Sequence, residues 1–312
     1  MPATSDISVV IPYYNREQYI DQALQSVLGQ TLKPLEIILV NDCSRESSRR
    51  YLNRYSDVCR IIDLPSNVGA AESRNAGVRY ARGRFVAFLD DDDFWLPRKL
   101  EVQRAYMDQR PECAIVHSAA WFFYKDAPDE YYRRFDLGPM TLAQAIRNEY
   151  WAIIPTVLLR IEVYRAVAGL DVRFRIAEDR DFIIRCCAAG YKVEGISEPL
   201  VRVRREGQDG LTPKHWFTFR EDLKMCWKHR RYYVRAYGLR GIVSFVLEKI
   251  QLPATRTRYI NRAVRFLTRV IKVKYQLRPG YRDPVIEATA QQPSFVSQCA
   301  PNAARFAGDE SL

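Results

Sequence analysis

Apolar and polar positions along the first hundred residues alternate between two rhythms. "ISVVIPYYN" (Ile7–Asn15) is a β-branched apolar run that ends near a proline, the pattern of a buried strand. "REQYIDQALQSVLGQ" follows with Tyr19, Ile20, Ala23, Leu24, Val27 and Leu28 at helical spacing and a glycine near its end. "LEIILVND" (Leu35–Asp42) reads as a second strand, "RRYLNRY" as a helix and "CRIIDLP" as a third strand. "NVGAAESRNAGVRYARG" (Asn67–Gly83) predicts a loop and then a helix stopped by Gly83, and "RFVAFLDDDD" a fourth strand. Strand–helix alternation with short connections predicts an α/β domain whose sheet is mostly parallel.

This architecture gives position a meaning. Ligands of open α/β sheets bind beyond the carboxyl ends of the strands. Asn15, Asp42 and the run Asp90, Asp91, Asp92 and Asp93 all fall at such ends. Four adjacent carboxylates repel one another unless a cation compensates them. A divalent Mg²⁺ or Mn²⁺ takes hard oxygen ligands, often only one or two of them from protein. The simpler reading is a solvated acidic turn before the helix "WLPRKLEVQRAYM", a place where acidic residues are favoured and Asp93 suits a cap.

Further along, "YWAIIPTVLLR" predicts a loop entering a strand, and "AEDRDFIIRCCAAG" a helix opened by Glu178, Asp179 and Asp181. Any of the three carboxylates could cap the helix or act as a base, and spacing does not choose among them. The stretch from Arg104 to Gly169 is rich in aromatics and suits acceptor and sugar pockets, with Trp121 and Trp151 as candidates, although aromatics more often fill cores. His117 and His215 read as structural residues.

Composition narrows the class. The chain has 312 residues, 47% of them hydrophobic and 12% aromatic, enough for a substantial core and unlike a disordered protein. "MPATSD" has no basic, apolar leader pattern, and no window approaches ~18 uninterrupted apolar residues, so neither a secretory signal nor a transmembrane span is expected. The seven cysteines lack metal-type spacing, which predicts a reduced, cytoplasmic chain.

The net charge of +11 is uneven. Residues 201–282 hold 21 Lys/Arg against 5 Asp/Glu, a net of +16, and the remainder holds 27 basic and 32 acidic residues, a net of −5. Arg258, Arg262, Arg265, Arg269 and Lys272 recur at spacings of three and four beside apolar stripes, which predicts a basic amphipathic helix. Such a helix suits either an anionic membrane surface, with peripheral placement at the inner membrane face, or packing against the catalytic domain. These patterns divide the chain into a catalytic domain (1–204), a basic helical region (205–282) and a tail (283–312) that reads as disordered.

Taken together, "SVVIPYYNREQYIDQALQSVLGQT", "EIILVNDCS", "NVGAAESRNAGVRYARGRFVAFLDDDDFWLPRKLE" and "GLDVRFRIAEDRDFIIRCCAAGYKVEGISEPLVRVR" resemble family 2 glycosyltransferases, the inverting GT-A type enzymes that use nucleotide-diphospho-sugars. The resemblance runs in consistent order from about Ile7 to Arg204. It implies a Rossmann-like sheet flanked by helices and transfer of a sugar to a hydroxyl of a glycan or lipid-linked acceptor, in cell-surface polysaccharide or lipopolysaccharide synthesis. It implies a donor, most readily a UDP-sugar, bordered by Pro12, Tyr14 and Asn15, with Asp42 accepting a hydrogen bond from the base. Arg74 would approach the diphosphate and Asp91 the ribose. Asp90 and Asp92 would be the DxD pair that holds Mn²⁺ or Mg²⁺, and Asp179 the catalytic base. A solvated helix face is the plainer reading of Arg74.

Two other classes compete. A nucleic-acid-binding protein would explain the basic third but not the carboxylates at the strand ends, and no recognition motif is visible. A sugar nucleotidyltransferase also uses metal-binding carboxylates, but "PYYNRE" is not a glycine-rich phosphate loop.

Overall fold

Side-chain alternation along the first strand sorts the core into two layers. The computed structural model describes residues 5–124, 127–133, 139–147, 152–205 and 215–238. Strand β1 (Ile7–Tyr13) sends Ile7, Val9, Ile11 and Tyr13 to one side and Val10 to the other. The first side is covered by α1 (Glu17–Leu28), through Ile20, Ala23, Leu24 and Val27. Strand β2 (Glu36–Asn41) is followed by α2 (Glu46–Tyr51), a 3₁₀ turn and β3 (Arg60–Asp63), and α3 (Ala70–Tyr80) leads to β4 (Phe85–Phe88). Helix α3 packs very closely on the sheet: a Cβ at Gly77 would lie 2.3 Å from a Val10 methyl, so only glycine permits this approach.

Strand β5 is just Phe94–Trp95, and α4 covers Lys99–Gln109. The long β6 (Cys113–Tyr124) and β7 (Ala127–Arg133) come next, then α5 (Leu142–Arg147), β8 (Val157–Arg160), α6 (Ile161–Ala166), α7 (Glu178–Ala188), β9 (Lys192–Arg205) and α8 (His215–Lys228). The sheet runs β3-β2-β1-β4-β8-β6-β9-β5, with β7 also paired to β6. The β3-β2-β1-β4 half is parallel throughout, whereas β8 is antiparallel to both of its neighbours. The first four predicted strands and the helices between them therefore form as their periodicities require. Pro12 lies past the last β1–β4 pair, Val10 with Phe88, where its missing N–H leaves no gap in that ladder.

Helix α8 packs on the second layer. Met225, Cys226, Tyr233, Ala236 and Tyr237 join one core with Phe182 and Ile183 of α7 and Val10 and Val40 of the sheet. The Tyr233 and Tyr237 hydroxyls donate to the Ile146 and Ala143 carbonyls at 2.7 and 2.8 Å. Trp151, the basic stripe from Arg258 to Lys272 and the tail from 283 lie outside the described residues. Among the described residues no helix is long and apolar enough to cross a membrane.

Candidate active site

The parallel half of the sheet brings three chain segments to one edge. After β1, Asn15 adopts φ 53°, a left-handed conformation that asparagine tolerates, and turns the chain toward α1. Its backbone N–H donates to Ser44 Oγ at 3.2 Å, and its side-chain Oδ1 accepts the Arg45 backbone N–H at 2.9 Å, so the β1 and β2 ends are tied together. Exposed Tyr14 donates its backbone N–H to Asp91 Oδ2 at 3.2 Å, which ties β1 to the acidic run after β4. Asp42, buried at the end of β2, accepts the Val68 and Gly69 N–H groups at 2.7 and 2.8 Å. Each of its oxygens keeps a lone pair for another donor. Pro12, Tyr14, Asn15, Asp42 and Asp90–Asp93 are thus brought together.

Burial shapes the electrostatics of the acidic run. It pushes Asp91 up to about 8, against the pull of Arg16 and with the push of Asp92. It also raises Asp92, again against Arg16 and with Asp90 adding to the rise. Asp93 is raised well above its ordinary value by burial and then by Asp92 and Asp90, even though its Oδ1 accepts the Arg204 backbone N–H at 2.8 Å. Guanidiniums stand against the cluster: Arg16 pairs with Asp92 and lies 3.5 Å from Asp91, Arg74 pairs with Asp90, and the charge of Arg205 pulls Asp93 down. The cluster remains short of positive charge. That deficit, on hard oxygens, fits a divalent cation held by one or two carboxylates. Among the described residues no three His, Cys, Asp or Glu side chains form a ready-made cage.

Arg74 departs from a solvated helix face. It is 4% exposed, and its guanidinium spans Asp90 and, at 2.7 Å, Glu178. Burial opposes its charge, but the two carboxylates outweigh that and raise its pKa. One side chain of α3 therefore fastens the acidic run to the first turn of α7. Asp90 is already engaged by Arg74, so any approach of Arg74 to a diphosphate would take place from within this bridge.

The three carboxylates that open α7 have different partners. Glu178 is held by Arg74. Asp181 is fully buried among Arg185, Lys228 and His229. Burial would raise Asp181, but its hydrogen bond from His229 and the charge of Arg185 leave it lowered. Asp179 is half-buried, and its Oδ1 accepts the neighbouring Arg180 N–H at 2.7 Å. Among the described residues no cation pairs with it. Loss of solvent, and then the Glu178 charge, push it up to about 7, while Arg74 pulls it down. Arg74 and Asp90 both act on its charge, so Asp179 and the acidic run share one electrostatic site. The residue before Glu178, Ala177, sits at φ 61°, a strained conformation for alanine that sets the entry into this turn.

Some site residues were not foreseen from sequence. Arg16 follows Asn15 directly, so a cation one residue past the strand-end loop was the available hint. Arg204, on β9, donates from Nε to the Asp92 carbonyl at 3.0 Å and from its guanidinium to Gln22 at 2.7 Å. It comes more than a hundred residues after the acidic run, and no local pattern announces it. Trp121 lies half-buried on β6, and His117 is fully buried there, its pKa pushed down to about 4 by burial.

Known proteins resemble this chain in sequence and in fold. The family model "Glycosyl transferase family 2" matches residues 8–171. A putative teichuronic acid biosynthesis glycosyltransferase, TuaG, of Bacillus subtilis is 30% identical over 226 residues, 69% of this chain and 87% of its own. An uncharacterized glycosyltransferase of Haemophilus influenzae is 31% identical over 62% of this chain, which spans 66% of that relative. The UDP-Glc:alpha-D-GlcNAc-diphosphoundecaprenol beta-1,3-glucosyltransferase WfgD of Escherichia coli is 38% identical over 102 residues, 32% of this chain and 40% of its own. Among solved structures, S. aureus TarS 1-349 in complex with UDP-GlcNAc superposes with a TM-score of 0.60 at 16% identity, covering 89% of this chain and 98% of that one. At that identity the likeness shows the fold, which is the GT-A arrangement.

Proposed function

The chain belongs to glycosyl transferase family 2, and from that premise we propose that it moves a sugar from a nucleotide-diphospho-sugar to a hydroxyl of a lipid-linked glycan, inverting the anomeric centre. The observation that carries this reading is the sorting of carboxylates at α7. Glu178 and Asp181 are engaged by cations, whereas Asp179 is half-buried, without a paired cation among the described residues, and pushed up to about 7. A carboxylate of that pKa takes a proton from an attacking hydroxyl near neutral pH. A single displacement with one base inverts the centre.

The donor side follows from the strand ends. Asp42 accepts from a nucleobase N–H with its remaining lone pairs, as uracil N3–H would supply, and Pro12, Tyr14 and Asn15 border the nucleotide. Asp91 accepts a hydrogen bond from a ribose hydroxyl of the donor. Asp90 and Asp92 would hold Mg²⁺ or Mn²⁺, which when bound offsets the negative charge that builds on the departing diphosphate. Arg74 keeps Asp90 and the first turn of α7 in fixed relation and adds a buried positive charge between them.

A UDP-sugar is favoured by relatives whose names carry UDP and by TarS in complex with UDP-GlcNAc. A lipid-linked acceptor is favoured by WfgD, named for a diphosphoundecaprenol substrate. The purified chain, offered a panel of nucleotide-sugars with Mn²⁺ or Mg²⁺, should release nucleoside diphosphate from one of them. Release of pyrophosphate would instead mean nucleotidyl transfer and overturn the reading.

A further inference from the structure

Helix α8 and its continuation to Gly238 have two unlike faces. The inner face is the apolar one already described, and it keeps the segment's acidic residues with it: Glu221 is 3% exposed, and Asp222 pairs with Arg180 at 3.0 Å. The outer face carries exposed Arg220, Trp227, Arg231 and Arg235, at spacings of seven, four and four, which places them along one side of a helix, whereas the Lys224 ammonium turns back to the Arg173 carbonyl and Glu221. Exposed Arg230 lies beside them, its guanidinium carbon 4.6 Å from the centre of the Trp227 ring. Trp227 is 71% exposed, the highest of any large apolar side chain among the described residues; the next, Val172, is 52%. Half-buried Leu223 and Val234 flank it on the same side.

We propose that this face is a docking surface for an anionic lipid bilayer. An exposed tryptophan amid cations matches both parts of a membrane interface. Its amphipathic ring partitions to the headgroup level, and the arginines meet anionic headgroups while their stems lie along apolar surface. A nucleic acid would match the charge and could stack a base on Trp227, but the aliphatic Leu223 and Val234 beside it suit acyl chains rather than bases. The position of the face matters for the reaction. Asp222, on the inner face, holds Arg180, the residue after Asp179, so a bilayer seated on the outer face lies one helix away from α7, whose first turn carries the proposed base. This consequence rests on the acceptor being lipid-linked, whereas the docking itself does not.

The test uses the full chain and vesicles of phosphatidylcholine with or without phosphatidylglycerol, in the absence of donor and acceptor. Wild type should bind the anionic vesicles and be released by salt. Arg230→Gln, Arg231→Gln and Arg235→Gln together should lower the vesicle partition coefficient by roughly 10²-fold, from about a few-fold to tenfold per surface charge. Brominated lipid should quench tryptophan fluorescence of wild type and lose most of that effect in Trp227→Phe. Unchanged partition of the triple variant, or unchanged quenching in Trp227→Phe, overturns the proposal. So does loss of binding confined to Arg258→Gln, Arg262→Gln, Arg265→Gln and Arg269→Gln, which would assign the contact to that later stripe. Nucleoside diphosphate release in the triple variant without vesicles should match wild type. If wild type binds vesicles yet transfers no sugar, the function reading fails and the docking surface stands.

Discussion

The molecule holds two clusters of buried charge, and they are balanced in opposite ways. Between α7 and α8, cations match or outnumber the carboxylates. Asp181 meets Arg185, Lys228 and His229, Asp171 meets Arg173 and Lys228, and both aspartates are held below their ordinary range. At the ends of β1, β2 and β4 and the start of α7 the carboxylates win, and Asp91, Asp92, Asp93 and Asp179 are all raised. A carboxylate matched by the cations around it is satisfied and holds the structure together. A cluster with more carboxylates than cations retains a demand for a proton or a cation, and such a demand is what a sugar-transfer site can use.

This contrast predicts opposite responses to the same substitution. Asp179→Asn should keep the fold and lower kcat by roughly 10²- to 10⁴-fold, the usual worth of a general base, with donor affinity little changed. Collapse of donor affinity with kcat intact, read by calorimetry beside turnover, would make Asp179 a binding residue. Asp181→Asn should do the reverse. It leaves Arg185, Lys228 and His229 facing a neutral amide and should cost about 3–5 kcal/mol of stability in a denaturant titration. A stability equal to wild type would show that the α7–α8 network is not a structural clamp.

How far the contrast was legible in the sequence depends on range. The strands of the parallel half and their helices were visible because periods of two and 3.6 are local. Strand ends are also local, so Asp42 and the run from Asp90 to Asp93 could be placed on one edge by topology. The partners of these residues were not visible. Arg74 finds Glu178 104 residues away, and Arg204 finds the Asp92 carbonyl 112 residues away, separations that no local pattern encodes. For the same reason "AEDRD" alone left three carboxylates equivalent, and only their cations tell them apart. Strand β5 has two residues, too few for any period, and exists because Phe94 and Trp95 meet Arg202 and Val201 of β9.

Smaller effects sharpen the contrast. Asp92→Asn removes one anion from the overcrowded cluster. Transfer should fall roughly 10²-fold or more if a divalent cation stabilises the leaving diphosphate. Wild-type turnover in this variant, or full wild-type activity in chelator, would remove the cation from the account.

The two clusters should also give stability two pH limbs. Asp171 and Asp181 are lowered on folding, so their stabilisation is present above the ordinary carboxylate range of about 4 and lost as pH falls through it. Asp179 is raised to about 7, so its share is full below about 4 and lost as pH rises toward 7. Urea midpoints across this range should lose part of the alkaline limb in Asp179→Asn and part of the acid limb in Asp181→Asn. The same two limbs in both variants would mean that other groups set them.

The central claim, that Asp179 is the proton acceptor because it alone of the three carboxylates opening α7 lacks a paired cation among the described residues, is tested most directly by the pH dependence of kcat in wild type beside Asp179→Asn. The account predicts a wild-type rate that rises with pH through an apparent pKa near 7 and levels above it, and a residual Asp179→Asn rate without that limb. A wild-type profile flat from pH 5 to pH 9, or the same limb surviving in Asp179→Asn, would contradict it.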